Sequence, residues 1–251
     1  GYRRAAAWCE VGGIDYDPAS LRLEQRAQLL DLDGTGFGHQ VFRFSPPTRF
    51  GTRYADRLEA EALVECVVNL NLVGLEQVDG EIRSARAVTL DGEATSIRAK
   101  QFVLAMGGVE NARFLLNQDE APGNQSDLLG RCFMDHFGFT PGQMLAGTGL
   151  QYERGQLADE DLMTVIAPEP GIGPHGCLLV TAIAPDDILP PAYWTNPQAG
   201  AASGGQYRIS MINAPTPHRE SRLTLGDERD AIGLRRTHLH WHLPPEDFTP
   251  V

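Results

Sequence analysis

No stretch of this sequence is apolar for long enough to span a bilayer, and its opening residues lack the basic, apolar and small-residue succession of a secretory leader. Gly1 falls inside a helical-looking stretch, YRRAAAWCEVGG, so the natural start is not expected there. Basic residues are also scarce. With 21 Lys and Arg against 33 Asp and Glu, the formal charge of -12 leaves no electrostatic footprint for a nucleic-acid backbone or an anionic membrane. Cysteine is sparse: Cys9, Cys66, Cys132 and Cys177 stand far apart with no CxxC pair, which removes a zinc knuckle and a redox dithiol and suits reduced thiols in a cytoplasm. Neither a G-x-S-x-G elbow nor a Walker loop occurs, so hydrolase and nucleotide triphosphatase readings lose their usual supports.

What is present can fold. The 251 residues are 42% hydrophobic, enough for one large domain or two small ones with a sizeable core. Residues 2 to 32 read as helical pieces interrupted by Gly12-Gly13 and restarted at Asp17-Pro18. HQVFRFS alternates as a strand, and TRYADRLEAEAL reads as a helix capped by Thr52. Val64, Cys66, Val68, Leu70 and Leu72 recur at every second position, predicting a strand whose phase slips in a bulge near Asn71 to Gly74. IRSARAVTL and ATSIRA predict further strands joined by an Asp91-Gly92 turn. The continuous apolar run QFVLAM predicts a strand covered on both faces. It runs into Gly107-Gly108 and then a helix in which Val109, Ala112 and Leu116 share a face, leaving Glu110 and Arg113 toward water or a ligand. Beyond Gly130, CLLVTAIA, QYRISMI, RLTL and THLHWHL read as strands between Pro, Gly and Ser-rich loops. The expected division is an α/β part over residues 1–132 and a sheet-dominated part over 133–251.

Four local patterns carry chemistry on their face. GIGPHG, residues 171–176, matches G-x-G-x-x-G, but prolines precede it and a strand pattern follows where a helix is required. DLDGTGFGHQVF starts like a calcium loop, yet its twelfth place is Phe42 where a bidentate Glu belongs. His238, His240 and His242 would project from one face of a strand. That alternation fixes no tetrahedral shell, and polar residues on an open sheet face give the same pattern. Asp135-His136 has the composition of an acid/base pair, with a structural hydrogen bond as the plainer role.

RAKQFVLAMGGVENARFLL, LLGRCFMDHFG and HRESRLTLGDERDAIGLRRTHLHWHL, in that order, resemble the glucose-methanol-choline family of flavin-dependent oxidoreductases. FSPPTRFG and GGVENARFLL bring the likeness closer to its bacterial sugar- and alcohol-oxidising branch. The resemblance implies an α/β (α+β) fold: part of an FAD-binding α/β domain, then a substrate domain on an antiparallel sheet with flanking helices. It implies FAD as cofactor, a sugar or alcohol as substrate, and an electron acceptor as further partner, with hydride passing from a CH-OH carbon to the flavin. It further implies that Leu72 lies against the adenine of FAD, and that Ala105, Met106, Gly107, Gly108 and Asn111 form the turn beside the nucleotide half. The family's N-terminal GxGxxG unit and its C-terminal catalytic histidine have no counterpart here, so the sequence reads as a central portion with its catalytic residues elsewhere. The alternative expectation is a non-enzymatic binding module derived from the same fold.

Overall fold

The structure is a computed structural model that describes residues 1–11, 16–17, 29–46, 48–146, 150, 152, 155–157, 160–169, 176–182 and 205–245. The fold is α+β, with antiparallel sheets and short helices. The chain forms two compact units, one from residues 1–55, 135–215 and 249–251, the other from 56–134 and 216–248. No helix among the described residues is long and apolar enough to cross a membrane.

The first unit is built on one antiparallel sheet. Strand β1 is Phe37–Phe44, and the remaining strands come from later in the chain. These are β5 (Phe137–Ala146), β6 (Gly155–Leu157), β7 (Glu160–Pro168), β8 (Gly176–Ala182) and β9 (Gly205–Asn213). Their order is β1-β7-β8-β9-β5, with β6 added to β7. Val165, Ile166 and Ala167 are buried in succession, so β7 is covered on both faces. Leu150, Tyr152, Ile166, Val180 and Tyr207 form a core cluster, against which Leu29, Leu30 and Leu32 pack.

Helix α1 (Tyr2–Trp8) docks on the start of helix α2 (Phe50–Ala60) within this unit. Trp8 and Tyr54 meet edge to face at 4.8 Å, the Tyr54 hydroxyl donates to the Trp8 carbonyl at 2.6 Å, and Arg53 pairs with Glu10 at 2.6 Å. Two helical expectations are corrected here. The first of the helical pieces expected between residues 2 and 32 is α1, which stops at Trp8; the second falls largely on residues 18–28, outside the described residues, and residues 29–32 after it are not helical, so it does not reach residue 32. Thr52 does not cap α2 either. The Phe50 and Tyr54 rings, one helical turn apart and 5.6 Å between centroids, draw the helix back to Phe50 and leave Thr52 inside its first turn.

The second unit holds a meander of β2 (Asn71–Val78), β3 (Glu81–Val88) and β4 (Ala94–Ile97), a hairpin of β10 (Arg222–Arg229) and β11 (Arg235–His240), and helix α3 (Gly108–Leu116). The register of β2 on β3 shifts between Leu72 and Gly74, where the alternation of the sequence breaks. The β3–β4 turn passes through Gly92 at φ 90°, a conformation that glycine adopts without steric cost. Phe114 of α3 is buried, and α3 packs against β10 while Arg113 reaches the Arg235 carbonyl at the start of β11. Gly130, at φ 73°, is closely packed: an added Cβ would lie 3.2 Å from the Leu223 carbonyl oxygen, a tight contact, and the Gly130 carbonyl accepts from the Leu223 amide at 2.7 Å.

Two expected strands are absent. From Val64 to Leu70 the chain is not strand, and Val64, Val67 and Val68 are exposed. A strand is stabilised by its neighbour, and β2 begins only at Asn71, where Val88 offers a partner. The amide of Val64 is spent on the Glu61 carbonyl in the turn that ends α2. QFVLAM is likewise outside any sheet, and Val103 is 86% exposed rather than covered on both faces.

Candidate functional site

The Gly107-Gly108 turn takes its shape from three local features. Gly107 sits at φ 90° and ψ 164° at the N-terminal boundary of α3, a backbone conformation that side chains oppose. The Asn111 amide donates to the Gly107 carbonyl at 2.9 Å and starts the helix. The Asn111 side chain then reaches back: its Oδ1 accepts from the Met106 amide at 3.1 Å and its Nδ2 donates to the Leu104 carbonyl at 3.2 Å. One side chain thereby satisfies two backbone groups that no sheet partner takes up.

The result is an exposed ledge. Ala105, Met106, Gly107 and Gly108 all face solvent, and a Cβ added at Gly107 or Gly108 would meet no atom within 4 Å. Gly107 is required by its own backbone, whereas Gly108 has no positive φ and no neighbour that demands a glycine. Met106 and Val109 flank the ledge with apolar surface. Glu110 puts a carboxylate in the first turn of α3, where it pairs with Arg113 at 3.0 Å. A negative side chain at a helix N-terminus opposes a second anion there, so this turn suits an uncharged group approaching backbone better than a phosphate.

Leu72 lies half-buried on β2, opposite Ala87 and at the edge of the bulge. The described hydrogen bonds that bring Met106 and Asn111 together do not extend to it. A cleft of about 660 Å³ beside β2 is lined by Val73, Leu75, Arg86, Asn117 and Gln118, at the C-terminal end of α3 and away from Gly107. Within it the Gln118 Oε1 accepts from the Leu75 amide at 2.9 Å, bracing the bulged strand.

Arg113 does not stand free toward water. Its side chain is 12% exposed, donates from Nε to the Arg235 carbonyl at 3.0 Å, and pairs with Asp230 as well as Glu110. Burial opposes ionisation of Asp230, yet Arg113 and the amides of Leu234 and Ile232 outweigh it and hold the carboxyl below its ordinary range. Asn117 continues the clamp, accepting from the Arg235 amide at 2.8 Å and donating to its carbonyl at 3.2 Å.

The three alternating histidines do not share one environment. The His238 imidazole rests over Gly226, His240 Nε2 lies 3.0 Å from Thr224 Oγ1, and His242 lies beyond the end of β11 with its ring 4.5 Å from that of His218. No group of three or more metal-ligating side chains exists among the described residues. Asp135 accepts from the backbone amide of His136 at 2.8 Å rather than from its ring. Asp31 likewise accepts from the Asp33 amide at 3.1 Å, a local turn, and Phe42 lies in β1. Of GIGPHG, only Gly176 falls within the described residues, where it opens the strand β8.

One titratable pair had no sequence signal. Tyr152 is 1% exposed, and its hydroxyl lies 2.7 Å from His39 Nε2 and accepts from the Leu30 amide at 3.0 Å. Burial pushes the His39 imidazole below its usual range and the Tyr152 phenol up. No family model matches the sequence, and no curated protein matches it.

Proposed function

We propose that this chain carries the adenine-side contacts for FAD in an oxidoreductase of the glucose-methanol-choline type, acting on a CH-OH group of a sugar or alcohol and passing electrons to a separate acceptor. The observation that carries this reading is the empty space over Gly108: the fold itself tolerates a side chain there, and its absence leaves backbone open to a ligand. Residues Ala105 to Gly108 would face the adenosine end, with Met106 and Val109 supplying apolar contact and Leu72 offering backbone from β2. Glu110 keeps the pyrophosphate from this turn. Asn111 acts by holding the turn in shape. The bound flavin would supply the hydride acceptor, and no residue of this chain is given a catalytic role. The free thiols of Cys9, Cys66 and Cys132 suit the cytoplasmic setting that belongs to this reading.

The test is a nuclear magnetic resonance titration of the chain with FAD, adenosine and riboflavin. FAD and adenosine are expected to shift the amides of Ala105 to Val109 and of Leu72, and riboflavin is not. Gly108→Val should abolish those shifts while leaving the thermal midpoint unchanged. Equal response to riboflavin, or shifts confined to other residues, would refute the assignment. Binding of FAD is compatible with the chain by itself oxidising no sugar or alcohol with an artificial acceptor; turnover by the chain alone would contradict a role limited to adenine-side contacts.

A further inference from the structure

The first unit contains a device independent of the proposed flavin reading. A cleft of about 340 Å³ is lined on one side by the segment from Leu29 to Gly34 and on the other by Phe37, Gly38, His39 and Glu169. The side chains of Leu29, Leu30 and Leu32 pack against the core, but the backbone of the segment is tied to that core through Tyr152, whose hydroxyl takes the Leu30 amide. Tyr152 is buried, so its own hydroxyl hydrogen needs an acceptor inside the protein. His39 Nε2, at 2.7 Å, is that acceptor when the imidazole is neutral and carries its proton on Nδ1. The chain of donors then runs from the Leu30 N–H to Tyr152 Oη, and from the Tyr152 O–H to His39 Nε2, so that the buried hydroxyl both accepts and donates.

Protonation of His39 reverses one link. Nε2 then carries a hydrogen and must donate to Tyr152 Oη, which already accepts from Leu30, and the hydroxyl hydrogen is left buried with no acceptor among the described residues. Relief comes most simply if Tyr152 turns its hydroxyl and gives up Leu30. We propose that the His39–Tyr152 pair is a proton-sensitive latch that holds the Leu29–Gly34 wall of this cleft in place and releases it when the imidazole takes a proton.

The charged groups around the latch set where it acts. Asp31 and Asp33 on the Leu29–Gly34 segment and Glu169, the residue after β7, line the same cleft, and the facing β7 residue in register, Ile166, is apolar. Burial holds the imidazole below its ordinary range and favours the neutral ring. Release therefore falls on the acid side of the ordinary histidine range.

The experiment is amide hydrogen exchange of Leu30 between pH 7.5 and pH 5, corrected for the intrinsic exchange rate, alongside the ring-carbon shift of His39. Leu30 protection is expected to fall about tenfold or more in step with the titration of His39, while the Val165 amide in the sheet core keeps its protection. His39→Gln, which keeps a neutral acceptor at the Nε2 position, should make Leu30 protection independent of pH. Tyr152→Phe should leave Leu30 poorly protected throughout. Titration of His39 with unchanged Leu30 protection would overturn the latch, as would pH dependence retained in His39→Gln or equal loss at Val165. If Tyr152→Phe does not fold, the wild-type and His39→Gln profiles decide the matter. A ring that stays neutral down to pH 5 would overturn it too.

Discussion

Replacing Arg113 by Ala should cost the second unit about 2–4 kcal/mol, below the ~3–5 kcal/mol typical of breaking a fully buried ion pair, because Asp230 keeps 24% of its side-chain surface in water. The loss has two parts. The Asp230 carboxylate remains partly buried without its guanidinium, retaining only the amides of Ile232 and Leu234, both at 3.0 Å. The Arg235 carbonyl also loses its Nε donor, although Asn117 still serves it at 3.2 Å. Asp230→Asn separates these parts, since an amide oxygen can still accept from the turn amides while the charge is gone; it should cost about 1–2 kcal/mol. In a double-mutant cycle the two changes should couple by at least about 1 kcal/mol. The sign with pH follows from a carboxyl held below its ordinary range: the contribution is present above the unfolded carboxylate pKa of about 3.9 and disappears as the pH falls through it toward the lower folded value. Urea unfolding read through exchange-protected amides of α3 and β10 isolates this unit from the other. A cost under about 0.5 kcal/mol at pH 7, or a cycle with no coupling, would refute the claim that the clamp joins α3 to the hairpin.

Two further substitutions test the packing. Phe114→Ala removes the buried ring of α3 and should cost about 3–5 kcal/mol by the same unfolding measurement. Val103→Asp, at a position 86% exposed, should change stability by less than about 0.5 kcal/mol; a loss above ~2 kcal/mol would show that the QFVLAM segment is buried after all.

The parts of the fold that were legible in the sequence are those decided by near neighbours. The β3–β4 hairpin follows from Asp91-Gly92, with Gly92 at positive φ, and the bulge of β2 falls where Val73 and Leu75 break the alternation. Strand β10 needed only its own residues to be recognised, and the start of α3 only the glycine pair at its N-terminal boundary. The tertiary ties that organise the candidate sites were not legible, because their partners lie far apart in the chain. Arg113 meets Asp230 across 117 positions, and His39 meets Tyr152 across 113. An Arg on the polar side of a helix pattern looks the same whether it faces water or a carboxylate, and a lone Tyr in a segment without a motif says nothing of the histidine it will find. Asn111 lies between these cases. The resemblance marked its position, but its use as a brace on Leu104 and Met106 depends on a turn that only the three-dimensional arrangement displays.

The two failed strands carry the more general point. The alternation over Val64 to Leu70, before β2 begins, and the apolar run from Phe102 to Met106 describe what those segments could bury, and burial needs a second surface. Among the described residues neither finds one, and the chain spends its hydrogen bonds locally: the Val64 amide on Glu61, the Leu104 carbonyl and the Met106 amide on Asn111. The second of these arrangements fixes the ledge. Because Asn111 satisfies the backbone on either side of Ala105, the turn keeps its shape without a sheet, and Gly107 and Gly108 stay open toward solvent. An unpaired strand pattern beside a braced glycine turn is therefore a single feature in this chain. Because a Cβ at Gly108 would meet no atom of the fold within 4 Å, Gly108→Val separates a binding role for this ledge from a purely structural one.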